Sequence, residues 1–240
     1  MQIPLYEHPM WQSVPEQVMR PGGLTVTEQA LEHCGLQPGM KILDLGCGLG
    51  ATLKWVTAEH GLQGFGVDVS AELLSRARRT NSKISWMRSR SENLPFANES
   101  MDVILSECTL SIFEMDDALN ECARVLKHGG QFVVSDLYAR NENGADALRQ
   151  LPRGTCVGAA MPQSEILQKL SEVGFHVEVW QDRSETLKEF SLCTLTTAAK
   201  VDPFDLHIAA AKAKLGYYFL VARKIFKHEG HKVHKGRARN

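Results

Sequence analysis

A run of alternating glycines, Asp44-Leu45-Gly46-Cys47-Gly48-Leu49-Gly50, separates an apolar segment from a helical one, and few folds accommodate it there. Met40-Lys41-Ile42-Leu43 ahead of it reads as a strand opened by the Pro38-Gly39 turn, and Ala51 to His60 behind it reads as a helix. Glycine lacks a Cβ and tolerates positive φ, so a turn of this kind lets the backbone approach a ligand closely. Asp68, eighteen residues past Gly50, ends a second strand, Gly64-Phe65-Gly66-Val67-Asp68. An acid at that point of a βαβ unit is placed to accept from two ribose hydroxyls. The glycine spacing differs from the Gly-x-Gly-x-x-Gly turn that brings a helix N-terminus to a pyrophosphate. Asp44, two residues before the first glycine, would repel a pyrophosphate and suits a ligand that carries an ammonium and a sulfonium.

S-Adenosylmethionine is such a ligand. At these residues the chain resembles the class I S-adenosylmethionine-dependent methyltransferases, and within them the small-molecule branch that includes ubiquinone/menaquinone C-methyltransferases and arsenite methyltransferases. The likeness runs from about Gln37 to Asp136 and continues more weakly to Phe175. It includes Glu92-Asn93-Leu94-Pro95-Phe96, Asp102-Val103-Ile104-Leu105 and the stretch from Glu121 to Gly130, in an order and at spacings that fit one fold. The resemblance implies an α/β fold: a doubly wound, seven-stranded, mostly parallel sheet of Rossmann-like type. It also implies methyl transfer from S-adenosylmethionine to a small-molecule acceptor.

Length and charge fit one soluble enzyme domain. A chain of 240 residues is within the range of one large α/β unit with a substantial core. A formal net charge of −1 gives no support to a nucleic-acid partner. It hides an asymmetry: 223–240 holds seven Lys/Arg against one Glu, a local +6 that leaves −7 for the rest. Six cysteines without a Cys-x-x-Cys pair suit a reducing cytoplasm, and neither a disulfide framework nor a metal site is expected. Met1 to Glu7 lacks a basic start and an apolar run, so no secretory signal is expected, and no apolar stretch approaches membrane-spanning length.

Strands and helices alternate, as in a parallel sheet covered on both faces. Further strands are expected at Ile84 to Met87, Asp102 to Ser106, Gln131 to Asp136, His176 to Trp180 and Tyr217 to Ala222. Leu119, Cys122, Ala123 and Leu126 share one face of a helix that Asp116 or Asp117 would cap and Gly129-Gly130 would end. Pro162 opens another helix, striped by Ile166, Leu167, Leu170 and Val173 and stopped at Gly174. In the family the last two strands form an antiparallel hairpin at a sheet edge, but here roughly 30 residues separate them, far more than a hairpin loop needs. Ser184 to Leu195 and Pro203 to Leu215 read as helical. Three parts result: a helical cap segment at 1–36, a methyltransferase domain at 37–222 with a helical insert at about 183–216, and a basic tail at 223–240 of disordered composition. Leu187, Phe190, Leu192 and Leu195 give the insert apolar groups for a wall of the acceptor pocket or a partner face.

The cofactor contacts expected are Asp44, Gly46, Cys47, Gly48, Gly50, Asp68, Val69, Ser91, Glu92 and Glu107, with Arg20 from the cap segment. Arg20 precedes the Pro21-Gly22-Gly23 turn and is suited to pair with the methionine carboxylate as a bidentate donor. One position departs from the family. Its usual Asp, two residues before the Glu of Glu92-Asn93-Leu94-Pro95, accepts the adenine amine; Arg90 stands there and has no acceptor to offer.

Methyl transfer from a sulfonium is an in-line displacement that requires alignment and desolvation more than a fixed catalytic dyad. The fourth strand ends Ser106-Glu107-Cys108-Thr109-Leu110-Ser111, without the Asn/Asp-Pro-Pro-aromatic motif of amino-directed methyltransferases. Arsenite methyltransferases carry a cysteine at a corresponding point and a second one before a Gly-Ala pair, which Cys108 and Cys156-Val157-Gly158-Ala159 resemble. Soft thiolates suit trivalent arsenic. Cys34 is a poor match for a further family cysteine, and small apolar wall residues are the favoured reading of Cys108 and Cys156. Arsenite methylation and non-catalytic cofactor binding stand as the alternatives.

Overall fold

The computed structural model describes residues 7, 18, 20–151, 156–188 and 203–225. Helix α1 (Gly23–Leu31) precedes β1 (Lys41–Leu45), α2 (Ala51–His60), β2 (Gln63–Asp68), α3 (Ala71–Thr80), β3 (Ser85–Arg88) and β4 (Met101–Glu107). Then come α4 (Met115–Val125), β5 (Leu126–Ala139), α5 (Ala145–Arg149), β6 (Met161–Pro162), α6 (Gln163–Glu172), β7 (Phe175–Asp182), α7 (Pro203–Ala213) and β8 (Leu215–Lys224). The sheet runs β3-β2-β1-β4-β5-β8-β7, the seven expected strands, and the two-residue β6 adds to β5 off that path. Strands β1 to β5 pair in parallel, whereas β8 is antiparallel to both β5 and β7. The fold is the doubly wound one expected.

The central strands are apolar throughout because both faces are covered. Ile42, Val103, Leu105 and Val133 point into one core with α1, α2 and α7, while Leu43, Ile104, Phe132 and Val134 point into the other with α4 and α6. Chain order reverses between β1 and β4, so the helices that follow these strands lie on opposite faces and leave a crevice beyond the strand ends.

Several boundaries differ from expectation. Helix α4 ends at Val125 rather than at Gly129-Gly130, because Leu126 leaves the helix to pair with Met101 and starts β5. A register shift between Met101 and Val103 absorbs the irregular residues that follow, with Gly129 at φ +73°. Neither Asp116 nor Asp117 caps α4; both lie in its first turn, and Glu114 occupies the cap position without a side-chain hydrogen bond. There the two acids face the positive end of the helix dipole. Helix α1 begins at Gly23, inside the Pro21-Gly22-Gly23 turn.

The insert is helical where it is described: a 3₁₀ segment at Ser184–Lys188 and helix α7. Helix α7 buries Leu206, Ala209 and Ala213 and packs against α5 and β8. Leu187 packs on the core. Phe190, Leu192, Leu195 and the basic tail beyond Ile225 lie outside the described residues.

Candidate cofactor and acceptor site

A cavity of about 400 Å³ opens where the strand order reverses, beyond the C-terminal ends of β1, β2 and β4. Gly46, Gly48, Asp68, Val69, Glu92 and Glu107 are among the residues that line it. A smaller recess behind the glycine turn adjoins Arg20, Asp44, Cys47 and Thr52. All three glycines of the turn have positive φ, for different reasons. A Cβ on Gly46 would lie 2.4 Å from Thr109, and one on Gly50 would lie 2.1 Å from the Trp86 ring. Gly46 and Gly50 are therefore demanded by packing within the protein. Gly48 instead borders the cavity, and its N–H donates to Asp68 Oδ2 at 2.8 Å.

Asp68 is fixed by backbone. Its other oxygen accepts the Ser70 N–H at 2.8 Å, and the Val69 N–H pulls on the same carboxylate. Burial pushes its pKa up against the pull of those amides. Val69, just beyond, is 58% exposed on the cavity rim and offers a bare apolar surface.

At the other end of the glycine turn, acid accumulates. Asp44 is buried at the end of β1, and its carboxyl is raised well above the usual range by burial and then by the charge of Glu107, which Arg20 partly offsets. Glu107 ends β4. It accepts from Thr27 Oγ1 at 2.6 Å and Thr52 Oγ1 at 2.8 Å and pairs with Arg20 at 3.0 Å, with side chains only 8% and 6% exposed. The Arg20 Nε has no hydrogen-bond partner although it is buried. An arginine has five donors, and here its acceptors fall short of them.

Across the cavity, Arg90 is largely exposed and pairs with Glu92 at 3.0 Å. Burial raises Glu92, but backbone N–H groups and Arg90 outweigh it and hold the carboxyl below its ordinary value. Ser91 is buried, and its Oγ has no partner. These three form the wall on the β3 side, and none of them supplies the carboxylate that the family places at position 90.

Beyond Glu107 the wall changes character. Cys108 holds φ +54°, unusual for a residue with a Cβ, and its N–H donates to Ser135 O at 2.7 Å. Its thiol lies 4.0 Å from Tyr217 Oη. The nearby Cys156 and burial push the Cys108 thiol well above its ordinary pKa. Cys108 lines the cavity and both cysteines are buried. Cys34 is no third member: it bonds to Ala30 O, and its surroundings include Arg223 at the opposite end of β5's partner strand. Cys47 sits in the recess, its thiol raised by burial and by Asp44.

Sequence reasoning missed Thr27, Thr52 and Tyr217. Thr52 follows the glycine turn closely, and a polar residue in the first turn of α2 was a usable signal. Thr27 and Tyr217 lie on distant elements with nothing local to mark them.

A family model described as a methyltransferase domain matches residues 43–134. An O-methyltransferase from Pyrenophora dematioidea is 30% identical over 221 residues, which cover 83% of this chain and 80% of that protein. The chain belongs to the class I S-adenosylmethionine-dependent methyltransferases. The chain is also 31% identical over 164 residues to 24-methylenesterol C-methyltransferase 2 of Oryza sativa subsp. japonica, covering 62% of this chain and 45% of that one. Among solved structures, geranyl diphosphate methyltransferase in complex with SAM shares the fold with a TM-score of 0.67 at 17% identity, over 82% of this chain and 84% of that chain. The chain spans about half the length of several curated relatives it matches, 45% to 51%. S-Adenosylmethionine is the cofactor of the family. Among the described residues, no helix is long and apolar enough to cross a membrane.

Proposed function

We propose that this chain binds S-adenosylmethionine in the cavity at the β1–β4 switch point and transfers its methyl group to a small-molecule acceptor. The observation that carries the reading is the charge around the glycine turn. Asp44, Asp68 and Glu107 converge there, and among the described residues Arg20 is the one cation paired with them. A pyrophosphate would face three acids there, whereas an ammonium beside a sulfonium is attracted. Arg20 and Glu107 together suit an α-amino acid end, with the free Nε of Arg20 turned to a carboxylate and Glu107 to an ammonium. Asp68 presents its backbone-held carboxylate to ribose hydroxyls, and Val69 offers a face for adenine.

Bound there, the cofactor supplies an electrophilic methyl on sulfur that the acceptor displaces in line. The protein positions and desolvates. Thr27, Thr52 and Arg20 lock Glu107 in one orientation, and Thr109 braces the turn by donating to Leu45 O at 2.8 Å and bonding Ser106 Oγ at 2.8 Å. Cys108, Ile112 and Phe113 extend the cavity as a mainly apolar acceptor arm. No side chain of that arm is a strong base, which suits an acceptor that is nucleophilic by itself.

The test is titration calorimetry with S-adenosylhomocysteine and, separately, a nicotinamide dinucleotide, followed by transfer of labelled methyl into cell metabolites. Binding of the first ligand alone, with label incorporated, is expected. Binding without any incorporation would favour a non-catalytic cofactor-binding protein instead.

One observation favours a second reading, arsenite as acceptor: Cys108 lines the cavity, and the nearby Cys156 helps raise its pKa. Arsenous acid could condense with the two thiols, releasing two waters and leaving one hydroxyl on arsenic. Cys108→Ser and Cys156→Ser should each then abolish arsenic-dependent methylation. Unchanged methylation in the double variant removes this reading.

A further inference from the structure

The recess behind the glycine turn is closed around a charge pair. It measures about 50 Å³ against about 400 Å³ for the cavity beside it, and Glu107 lines both. Glu107 Oε1 accepts from Thr27 and Oε2 from Thr52, while the Arg20 guanidinium pairs with Oε2 at 3.0 Å. Arg20 also donates to the hydroxyls of Thr27 and Thr52, so one cation touches every side chain that holds Glu107. Val18, Cys47 and Leu49 add buried apolar walls. The guanidinium therefore stands where a ligand's ammonium would meet Glu107, close enough for its charge to lower Asp44 as well. Its buried Nε has no partner among the described residues and is the donor left for a carboxylate.

We propose that Arg20 is a latch on the amino-acid end of the cofactor site, opened by charge exchange: an entering ammonium takes its place on Glu107, and the guanidinium turns to the ligand's carboxylate. The proposal rests on the cofactor reading given above and goes beyond it, because it makes Arg20 select the ligand. In the free protein the buried pair is satisfied. A zwitterion adds no net charge to the recess and brings one partner for each ion. An ammonium alone displaces Arg20 and leaves the guanidinium buried without a counter-charge, which is strongly unfavourable. A nucleoside thioether with neither group leaves the latch closed and binds by its ribose and base. The three acids by themselves would attract any ammonium; with the latch, an ammonium gains only when a carboxylate comes with it.

Titration calorimetry on the full chain would compare three ligands that share one adenosine thioether. S-Adenosylhomocysteine carries both ionic groups, its decarboxylated analogue only the ammonium, and 5′-methylthioadenosine neither. In the parent, S-adenosylhomocysteine should bind most tightly, and the decarboxylated analogue should bind no better than 5′-methylthioadenosine. Arg20→Gln removes the latch. In that variant the decarboxylated analogue should bind roughly tenfold more tightly than 5′-methylthioadenosine, the worth of a hydrogen bond to a charged acceptor, and S-adenosylhomocysteine should lose its lead over it. The parent's order decides even where Arg20→Gln fails to fold: a decarboxylated analogue that binds the parent more tightly than 5′-methylthioadenosine would overturn the latch. Equal affinity of the parent for S-adenosylhomocysteine and 5′-methylthioadenosine would do the same, as would an Arg20→Gln variant that keeps the parent's order. A parent that binds no S-adenosylhomocysteine would instead sink the cofactor reading.

Discussion

The two ends of the cavity are built by different means. The cofactor end is local: Asp44, Gly46, Gly48, Asp68 and Ser70 all belong to one βαβ unit, and backbone N–H groups of Gly48 and Ser70 hold the Asp68 carboxylate. The acceptor end is assembled from afar. Cys108 follows β4 and Tyr217 lies in β8, 109 residues on, yet the thiol lies 4.0 Å from the phenol oxygen. A site written in one short unit is fixed by the geometry of a turn, whereas a site gathered from distant elements depends on how the whole sheet closes. Arg20 and Glu107 stand at the junction of the two ends, on the side proposed for the cofactor's amino-acid group.

Breaking that junction should have the largest effect. Arg20→Ala leaves Glu107 and Asp44 buried without a counter-charge, and removing one partner of a buried pair costs about 3–5 kcal/mol. A urea melt should show the fall, and adding Glu107→Gln should restore part of it. A melt unchanged by Arg20→Ala would mean that water already screens the pair.

Asp68→Ala attacks the local end. It removes the ribose acceptor and leaves the Gly48 and Ser70 amides without their partner, so S-adenosylhomocysteine should bind roughly thirtyfold more weakly or worse. Calorimetric affinity equal to the parent's would refute the ribose assignment. The acceptor end should be intact in this variant, with Cys108 and Cys156 modified by a thiol reagent at the parent's rates.

A smaller effect is expected from pH. Burial and Glu107 hold Asp44 above its ordinary pKa in the free protein, and a bound cation would lower it. Binding then releases a proton wherever free Asp44 is still protonated. Affinity should rise with pH until free Asp44 is fully ionised and level off above, with a slope of at most about tenfold per pH unit. Asp44→Asn should flatten that profile. A profile that falls with pH would reverse the sign and exclude Asp44 as the titrating group.

The smallest effect sharpens the contrast. Cys108→Ser with Cys156→Ser should leave S-adenosylhomocysteine affinity within about twofold of the parent, because neither side chain touches the Asp68 or Glu107 network. A large loss of cofactor affinity would show that the two ends are coupled, through the strained backbone at Cys108.

The places of the strands along the chain and the glycine turn were readable because each follows from short-range rules. Period and apolar runs mark buried strands, and a Gly-x-Gly-x-Gly turn followed by a strand-end acid has few geometries open to it. Helix α4 shows the limit of such rules. Its face pattern and the Gly129-Gly130 pair pointed to a later end, but pairing of Leu126 with Met101 pulls the chain out of the helix earlier. Cross-strand hydrogen bonds outweighed local preference.

What the sequence determined by itself is the βαβ unit and the class of ligand its acids suit, since both depend on residues within about one strand and one helix of each other. Only tertiary structure decided that Thr27 and Thr52 hold Glu107, that Glu7 reaches Ser70, and that Cys108 lies beside Tyr217. Those contacts join elements whose separation along the chain carries no periodic signal. They exist because the closed sheet and its packed helices bring the segments together, and a hydrogen bond or thiol contact forms wherever two matched groups are left facing in the interior.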